Sequence, residues 1–395
     1  MPAARKLQPL PVPPGDRALE IVPALRDALD GTGPALLPVP AQDPARASRI
    51  ADALDAANPL GADEDSPDDP TALVIATSGS TGQPKGVLLS AAALRASAEA
   101  THRRLHGPGS WLLALPANHI AGIQVLVRAL LAGRPVEAVD TTDGFRPDRF
   151  TTAARRVLQD SGPHYTSLVP TQLTRLLNSP EEGLAELRKF DAVLVGGAAA
   201  PPDLLNRAAE ADVQVVTTYG MSETAGGCVY DGQPLDITDV ELDTSGRISL
   251  AGPMLARGYR NHPGSDAFQD GWFRTGDLGR WRDGRLEVLG RADDLIITGG
   301  VNVAPLPIER VLSAQQGVRE VCVLGVPHPE WGQAVVAAVV PTDPDSPPDR
   351  TALQSAVREQ LGAPSVPKHV LFLPELPLRG PGKPDRRALS ALFRS

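Results

Sequence analysis

The stretch that decides the fold is a ten-residue segment, Thr77-Ser78-Gly79-Ser80-Thr81-Gly82-Gln83-Pro84-Lys85-Gly86. Its glycines let the backbone turn tightly and point N–H groups inward, its hydroxyls add donors, and Lys85 adds a cation. These groups suit a loop that binds a polyphosphate. The segment is not a Walker A loop, because Pro84 stands where the second glycine is required and Gly86 replaces the final Ser or Thr. A flexible hairpin between two strands is the alternative interpretation.

On both sides of this segment, short β-branched runs alternate with longer helical patterns. The pattern predicts strands at 72–77, 192–195 and 213–218, and helices at 91–105, with Ser90 as N-cap, and at 202–210. This alternation predicts an α/β fold, with a large N-terminal domain of helix-covered sheets at residues 1–292. Residues 293–395 carry helices and strands of their own and predict a small α+β C-terminal domain.

Composition and charge exclude several classes of protein. Lys and Arg number 38 against 47 Asp and Glu, so the net charge of −9 disfavours a nucleic-acid-binding surface. No apolar run approaches the roughly 18 residues of a transmembrane helix, and the proline-rich N-terminus does not resemble a secretory signal. Two cysteines give neither a disulfide framework nor a zinc-binding spacing. We therefore expect a cytoplasmic protein, with the acidic stretch 63–69 as a solvated loop.

Four further motifs follow the first segment along the chain. They are Thr217-Thr218-Tyr219-Gly220-Met221-Ser222-Glu223-Thr224, Gly271-Trp272-Phe273-Arg274-Thr275-Gly276-Asp277, Gly290-Arg291-Ala292-Asp293-Asp294-Leu295-Ile296 and Gly382-Lys383. Together with residues 77–86 they resemble, in the same order, five motifs of the adenylate-forming superfamily, which includes acyl-CoA synthetases, luciferases and peptide-synthetase adenylation domains. These are its phosphate loop, its adenylate and magnesium motif, its ribose motif, its hinge and its catalytic lysine element.

The resemblance implies an ATP site with Glu223 as the Mg²⁺ ligand, a role that suits a hard carboxylate oxygen. It also implies that Asp277 binds the ribose hydroxyls and that Tyr219 stacks on the adenine beside the turn Gly196-Gly197-Ala198. Without the resemblance, Glu223 could be a surface acid and Asp277 a turn cap. The ATP-binding residues that it implies are Thr77, Ser78, Gly79, Ser80, Thr81, Gly82, Lys85, Gly197, Ala198, Thr218, Tyr219, Gly220, Ser222, Asp277 and Arg291.

The last two motifs imply a mobile C-terminal domain. Arg291 would contact the nucleotide, and Asp293 would be the hinge, where a few residues absorb a large change in φ and ψ. Lys383 would approach the α-phosphate and the attacking carboxylate during adenylation and move away for the second half-reaction. In isolation, the glycine- and proline-rich segment around Lys383 reads as an exposed linker.

Two residues bear on the acyl substrate. The segment 115–122 has no acid, which peptide-synthetase adenylation domains use there to hold an amino group, and carries His119 instead. A structural histidine is the alternative to a catalytic or gating one. Arg128 interrupts the apolar run 123–131 and, if it faces the pocket, would pair bidentately with a second carboxylate. On the other face it would be an ordinary surface charge.

His119, Arg128 and the segments 165–173 and 226–232 together resemble the o-succinylbenzoate–CoA ligases of menaquinone biosynthesis. The resemblance implies a reaction of the dicarboxylate with ATP and coenzyme A, with Mg²⁺ as cofactor, Lys383, His119 and Glu223 as catalytic residues, and His119, Arg128 and Ser222 at the acyl substrate. The alternatives are another aryl- or acyl-CoA ligase, or an enzyme that loads an acyl carrier protein. Whether the chain forms a homodimer is left open.

Overall fold

The computed structural model of the protein describes residues 5–78, 84–262, 264–377 and 384–393. The chain divides into two compact units. The first comprises Met1–Gly197, Arg207–Glu241 and Ser249–Arg274, and the second comprises Ala198–Asn206, Leu242–Ile248 and Thr275–Ser395. This division follows packing and does not identify a pivot, so the boundary between residues 292 and 293 stays a prediction.

The first sheet of the first unit carries the ends of the glycine-rich segment. Its strand order is β1-β2-β3-β4-β14. β3 and β4 are antiparallel and pair Thr77 with Lys85, which places the two ends of the segment side by side; residues 79–83 lie outside the described residues. The strands are β1 (Leu7–Val12), β2 (Ala35–Pro40), β3 (Thr71–Ser78), β4 (Pro84–Ser90) and β14 (Gly258–Tyr259).

The second sheet has the order β11-β10-β9-β8-β7-β5-β6. The neighbours from β6 to β9 are parallel, so their carboxyl ends meet at one edge, whereas β10 and β11 are antiparallel additions. The strands are β5 (Ser110–Leu113), β6 (Val136–Ala138), β7 (His164–Leu168), β8 (Ala192–Val195), β9 (Val215–Met221), β10 (Gly226–Tyr230) and β11 (Gln233–Pro234).

Helices connect the parallel strands and bury their apolar faces. α3 begins where the Ser90 side chain accepts a hydrogen bond from the N–H of Ala93 at 3.1 Å, as the sequence predicts. One continuous core joins α1, α3 and α4 to both sheets, with Leu25, Leu94 and Ile123 among its buried side chains. The helices are α1 (Val22–Leu29), α2 (Pro44–Ala53), α3 (Ala91–Arg104), α4 (Ile120–Ala132), α5 (Pro147–Val157), α6 (Pro170–Leu177), α7 (Ala185–Leu187) and α8 (Pro202–Glu210).

A third sheet has the order β12-β13-β16-β15, with β17 also paired to β16. The β16–β17 hairpin pairs Asp277 with Arg291, two of the predicted ATP-binding residues. The strands are β12 (Asp239–Leu242), β13 (Arg247–Ala251), β15 (Phe268–Gln269), β16 (Trp272–Arg282) and β17 (Arg285–Arg291).

The C-terminal part of the second unit is a small α+β fold with the sheet order β19-β18-β21-β20 and β22 beside β21. Its apolar core lies between this sheet and helices α9 and α10, where Ile308, Val339 and Val357 are buried. The elements are β18 (Ile296–Thr298), β19 (Val301–Val303), α9 (Pro305–Ser313), β20 (Val318–His328), β21 (Gly332–Pro341), α10 (Arg350–Leu361), β22 (His369–Phe372) and α11 (Arg386–Leu392).

The predicted fold class is confirmed, and several element bounds match closely. β8 and α8 have the predicted bounds. β9 begins at Val215, two residues after the predicted start, and extends to Met221. Among the described helices, none has the length and apolar character that crossing a bilayer requires. The prediction of a solvated loop at 63–69 is wrong for Glu64, which is 8% exposed and pairs with the buried Arg260.

Candidate active site

Lys85, Tyr259 and Glu223 form a compact group in the first unit. The Tyr259 hydroxyl donates to Glu223 Oε1 at 2.8 Å. The Lys85 ammonium lies over the Tyr259 ring, 5.1 Å from its centroid, in a cation–π contact. The structure therefore brings the lysine of the glycine-rich segment and the glutamate of the second motif together around one aromatic side chain.

Local backbone geometry fixes the Glu223 turn. Residues Ser222–Thr224 form a 3₁₀ turn, which ends at Ala225 with φ of 49°. The Thr224 hydroxyl donates to the carbonyl of Gly226 at 2.7 Å, and the N–H of Ala256 donates to the carbonyl of Glu223 at 2.8 Å. A Cβ on Gly220 would lie 2.0 Å from the Gly226 carbonyl oxygen, so this position of the motif requires glycine.

The turn after β8 lies beside the end of β9, as parallel pairing of Val195 with Thr217 requires. A Cβ on Gly196 would lie 2.2 Å from the Thr218 hydroxyl oxygen, which shows how closely the two backbones approach. Gly197, with φ of +79°, and Ala198 are exposed. The predicted ATP-binding residues Gly197, Thr218 and Tyr219 thus lie at the carboxyl edge of one parallel sheet, the place where such sheets bind ligands.

Asp277, Arg291 and Asp293 form a second charged group, in the second unit. Arg291 Nε lies 3.7 Å from Asp277 Oδ1, and Arg291 Nη2 lies 3.3 Å from Asp293 Oδ2. The Asp277 side chain is 14% exposed, whereas that of Asp293 is 65% exposed. One guanidinium therefore bridges the predicted ribose-binding carboxylate and the predicted hinge residue.

Lys383 and residues 79–83 of the glycine-rich segment, with Gly79, Ser80, Thr81 and Gly82, lie outside the described residues. The positions that flank 378–383 are described. The N–H of Asp385 donates to the Pro377 carbonyl at 2.7 Å, and Arg386 Nη2 lies 3.1 Å from Glu309 Oε1. Burial dominates at Glu309 and raises the pKa of its carboxyl group. The two flanks thus bond each other, and the flank after Lys383 is anchored to α9 through Glu309.

His119 precedes α4 as its N-cap residue, with an extended backbone. The N–H groups of Gly122 and Ile123 donate to its carbonyl oxygen at 3.1 and 3.0 Å. Gly122 is required there, since a Cβ would lie 2.4 Å from the Pro116 carbonyl oxygen. The His119 side chain is half-buried. Its place at the start of α4, after the carboxyl end of β5, agrees with the predicted role but does not test it.

Arg128 lies on the same helix and is 3% exposed, so the alternative of a surface charge is wrong. Its guanidinium carbon lies 5.0 Å from the centroid of Trp111, and Nη2 donates to the Tyr230 hydroxyl at 3.3 Å. The Nε of Arg128 is buried and has no hydrogen-bond partner among the described residues. Within the described part of the chain, no carboxylate pairs with this arginine.

Burial dominates the electrostatics around Arg128. Burial lowers the pKa of the Arg128 guanidinium. Burial and the charge of Arg128 lower the pKa of His102, on α3, to about 4, so the imidazole is neutral near pH 7. Tyr230 also shares a 2.9 Å hydrogen bond with the hydroxyl of Thr101. The group is a buried positive charge held by neutral side chains, an arrangement that costs free energy.

Tyr259, Trp111 and His102 lie in none of the predicted motifs, and Tyr230 appears only as one residue of the segment 226–232. Their partners lie far away along the chain, as Tyr259 and Glu223 are 36 positions apart and Tyr230 and Arg128 are 102 apart. The available signal was composition, because the chain has only four tyrosines and four tryptophans, and such residues bury large surfaces. That signal marks the residues without showing what they contact.

Comparison with known proteins agrees with this geometry. The model of the AMP-binding enzyme family matches residues 20–260, more than half of the chain, and that of the AMP-binding enzyme C-terminal domain matches residues 307–383. A probable 2-succinylbenzoate–CoA ligase of Mycobacterium tuberculosis H37Rv is 45% identical over 393 residues, 98% of each chain. A 2-succinylbenzoate–CoA ligase of Bacillus licheniformis is 33% identical over 88% of this chain and 75% of that protein.

Solved structures of similar fold include one with bound ATP and one with a bound acyl-adenylate. ATP-bound MatB of Rhodopseudomonas palustris superposes with a TM-score of 0.80 at 25% identity, covering 99% of this chain and 89% of the other. The o-succinylbenzoate CoA synthetase (MenE) of Bacillus subtilis, in complex with the acyl-adenylate intermediate OSB-AMP, gives a TM-score of 0.74 at 25% identity, covering 97% and 88%. From its sequence motifs, its fold and these matches, the chain belongs to the AMP-binding enzyme family.

Proposed function

We propose that the protein is an ATP-dependent 2-succinylbenzoate–CoA ligase, which forms the acyl-CoA thioester, AMP and pyrophosphate. The full-length similarity to the ligase of M. tuberculosis supports this activity. The observation that carries the substrate assignment is Arg128, a buried arginine with no acidic partner among the described residues.

In the first half-reaction, a substrate carboxylate oxygen attacks the α-phosphorus of ATP. The new C–O–P bond forms as the bond between the α-phosphorus and the bridging oxygen of pyrophosphate breaks. Lys85 would bind the phosphates from the start of β4. Tyr219, Thr218 and Gly197 would hold the adenine. Lys383 would neutralise charge on the attacked phosphate, where positive groups stabilise the transition state most.

Glu223 suits a Mg²⁺ ion that is held mainly by substrate oxygens. No group of three or more His, Cys, Asp or Glu within the described residues could hold a metal alone. Magnesium sites at phosphates commonly use only one or two carboxylates together with phosphate oxygens and waters. When bound, the ion would neutralise phosphate charge, and Glu223 would hold it beside Lys85.

In the second half-reaction, the coenzyme A thiolate attacks the acyl carbonyl carbon, and the C–O bond to AMP breaks. Lys383 is not needed once the adenylate has formed, so we propose that the small domain rotates about Asp293 between the two steps. His119, at the start of α4, would gate the acyl pocket, and Ser222 would contact the acyl group.

Arg128 would bind the carboxylate that is not activated. A carboxylate at its unpartnered Nε would supply the missing anion and form a charge-assisted hydrogen bond. Such a contact contributes roughly 1.5 to 3 kcal/mol, or about 10- to 150-fold in affinity. This would favour a dicarboxylate over an acid with one carboxylate.

The test supplies the purified protein with ATP, Mg²⁺, coenzyme A and 2-succinylbenzoate, and measures pyrophosphate release and the mass of the thioester. We expect both products. The Lys383→Ala variant is the control: it should release no pyrophosphate but still convert pre-formed acyl-adenylate to thioester. Efficient turnover of monocarboxylates with none of 2-succinylbenzoate would favour another acyl-CoA ligase, and transfer only to an acyl carrier protein would favour a loading enzyme.

A further inference from the structure

Tyr259 touches both charged residues that the proposed function places at the ATP phosphates. Its hydroxyl bonds Glu223, and the face of its ring supports Lys85. The two contacts use different parts of the side chain, so they can be separated by substitution. The hydroxyl donates to one of the two carboxylate oxygens, Oε1.

The position of Tyr259 is fixed by the surrounding backbone. In β14, Tyr259 pairs with Val87 of β4, only two residues after Lys85. On either side of it, the N–H of Arg257 donates to the Leu88 carbonyl at 2.9 Å, and that of Arg260 donates to the Gly86 carbonyl at 2.7 Å. Tyr259 is itself 7% exposed, and Phe268 packs edge-on against its ring at 5.3 Å. A side chain held at this many points cannot move far without disturbing β4.

We infer that Tyr259 is a positioning residue for ATP binding: its hydroxyl sets the Glu223 carboxylate for the metal, and its ring sets Lys85 for the phosphates. This inference rests on the proposed ATP- and Mg²⁺-dependent function. A hydrogen bond from a phenol restricts a carboxylate to one orientation, and so lowers the entropy that metal binding would otherwise cost. The aromatic face similarly restricts the long lysine side chain without neutralising its charge.

The two contacts predict two different defects. Tyr259→Phe keeps the ring and removes the hydroxyl. It should raise the Mg²⁺ concentration that half-maximally promotes ATP binding by about 10-fold or more, and change ATP binding in EDTA by less than about 2-fold. Tyr259→Leu removes both contacts, so it should also weaken ATP binding in EDTA, by about 2- to 5-fold. Equilibrium titration calorimetry with ATP, with and without Mg²⁺, measures both.

A double-mutant cycle tests whether the hydroxyl acts through Glu223. In the Glu223→Gln background, Tyr259→Phe should have no further effect on the Mg²⁺ dependence, since the group that it positions has lost its charge. The matched control is Tyr165→Phe, which removes another buried tyrosine hydroxyl, bonded to the Gly107 carbonyl at 2.9 Å. It should leave the Mg²⁺ dependence of ATP binding unchanged.

The outcomes separate this inference from the proposed function. If the wild-type protein binds no ATP, the proposed function fails. If it binds ATP with a Mg²⁺ dependence that Tyr259→Phe leaves unchanged, or that Tyr259→Phe alters equally in the Glu223→Gln background, the inference is overturned. Thermal denaturation of each variant shows whether it is folded, and a folded Tyr259→Phe protein with the predicted split in Mg²⁺ dependence supports the inference.

Discussion

Two arginines of the first unit, Arg260 and Arg128, are equally buried at 3% exposure and have opposite surroundings. Arg260 pairs with Glu64 and donates to four backbone carbonyls at 3.0 to 3.2 Å. Arg128 has one tyrosine hydroxyl, one indole face and an Nε without a partner in the described part of the chain. Because an unpaired buried charge is costly, the saturated Arg260 fits a structural role, whereas the unsatisfied Nε of Arg128 fits the carboxylate contact proposed above.

The Glu64 carboxylate completes the structural site. Burial alone would raise the pKa of Glu64, but the N–H groups of Asn261 and Gly61 and the charge of Arg260 together lower it. Those N–H groups donate at 2.7 and 2.9 Å. Arg260 thus holds residues 54–64 against the strand that contains Tyr259.

The largest expected effect is on the structural arginine. Glu64→Gln removes the charge that compensates Arg260, so we expect a loss of about 3 to 5 kcal/mol in the free energy of unfolding. Urea denaturation at pH 7 measures it, and Asp63→Asn, at an exposed neighbour, is the control and should change stability little. A Glu64→Gln protein as stable as wild type would show that the Arg260–Glu64 pair does not have the structural role assigned to it.

The site around Arg128 should make the stability of the protein depend on pH, through His102. His102 has a folded pKa of about 4, below its unfolded value of 6.5, so the unfolded chain takes up a proton first as the pH falls. The contribution of this group to stability is present above about pH 6.5 and is lost progressively between pH 6.5 and 4, by on the order of 3 kcal/mol.

The measurement is the difference in unfolding free energy between wild type and His102→Asn from pH 7 to pH 4, because the difference cancels the titration of the carboxylates that both proteins share. We expect wild type to lose more stability than the variant over this range. Parallel curves would show that the imidazole is not held neutral beside Arg128.

The smallest expected effect concerns the hydroxyl that bonds Arg128. Tyr230→Phe removes this 3.3 Å hydrogen bond and should raise KM for 2-succinylbenzoate by about 2- to 10-fold, with KM for ATP unchanged. A long hydrogen bond that only positions the guanidinium should contribute about 0.5 to 1.5 kcal/mol to substrate binding, less than a direct contact with the carboxylate. Steady-state kinetics with each substrate varied in turn would check this. An equal rise in both KM values would indicate a general structural defect.

The sequence predicted those parts of the fold that depend on local signals. α3 follows its Ser90 cap, and α8 begins at a proline with an amphipathic pattern behind it. Its motifs also pointed to Lys85, Glu223, Asp277 and Arg291, whose roles stay predictions. It could not predict that Glu64, within an acidic run, is buried, because its partner Arg260 lies 196 positions away. Nor could it decide which face of α4 carries Arg128, since that helix is apolar on nearly every side.

The central claim is that Arg128 binds the substrate carboxylate that is not activated. One measurement tests this claim most directly. It compares kcat/KM for 2-succinylbenzoate and for an analogue that lacks the benzoate carboxylate, in wild type and in Arg128→Met, which retains apolar volume in the core. We predict that kcat/KM of the variant falls by about 10- to 150-fold with 2-succinylbenzoate and by much less with the analogue. The ratio of the two kcat/KM values, which is the preference for 2-succinylbenzoate, should therefore decrease. Equal losses with both substrates would contradict it and make Arg128 a structural residue like Arg260.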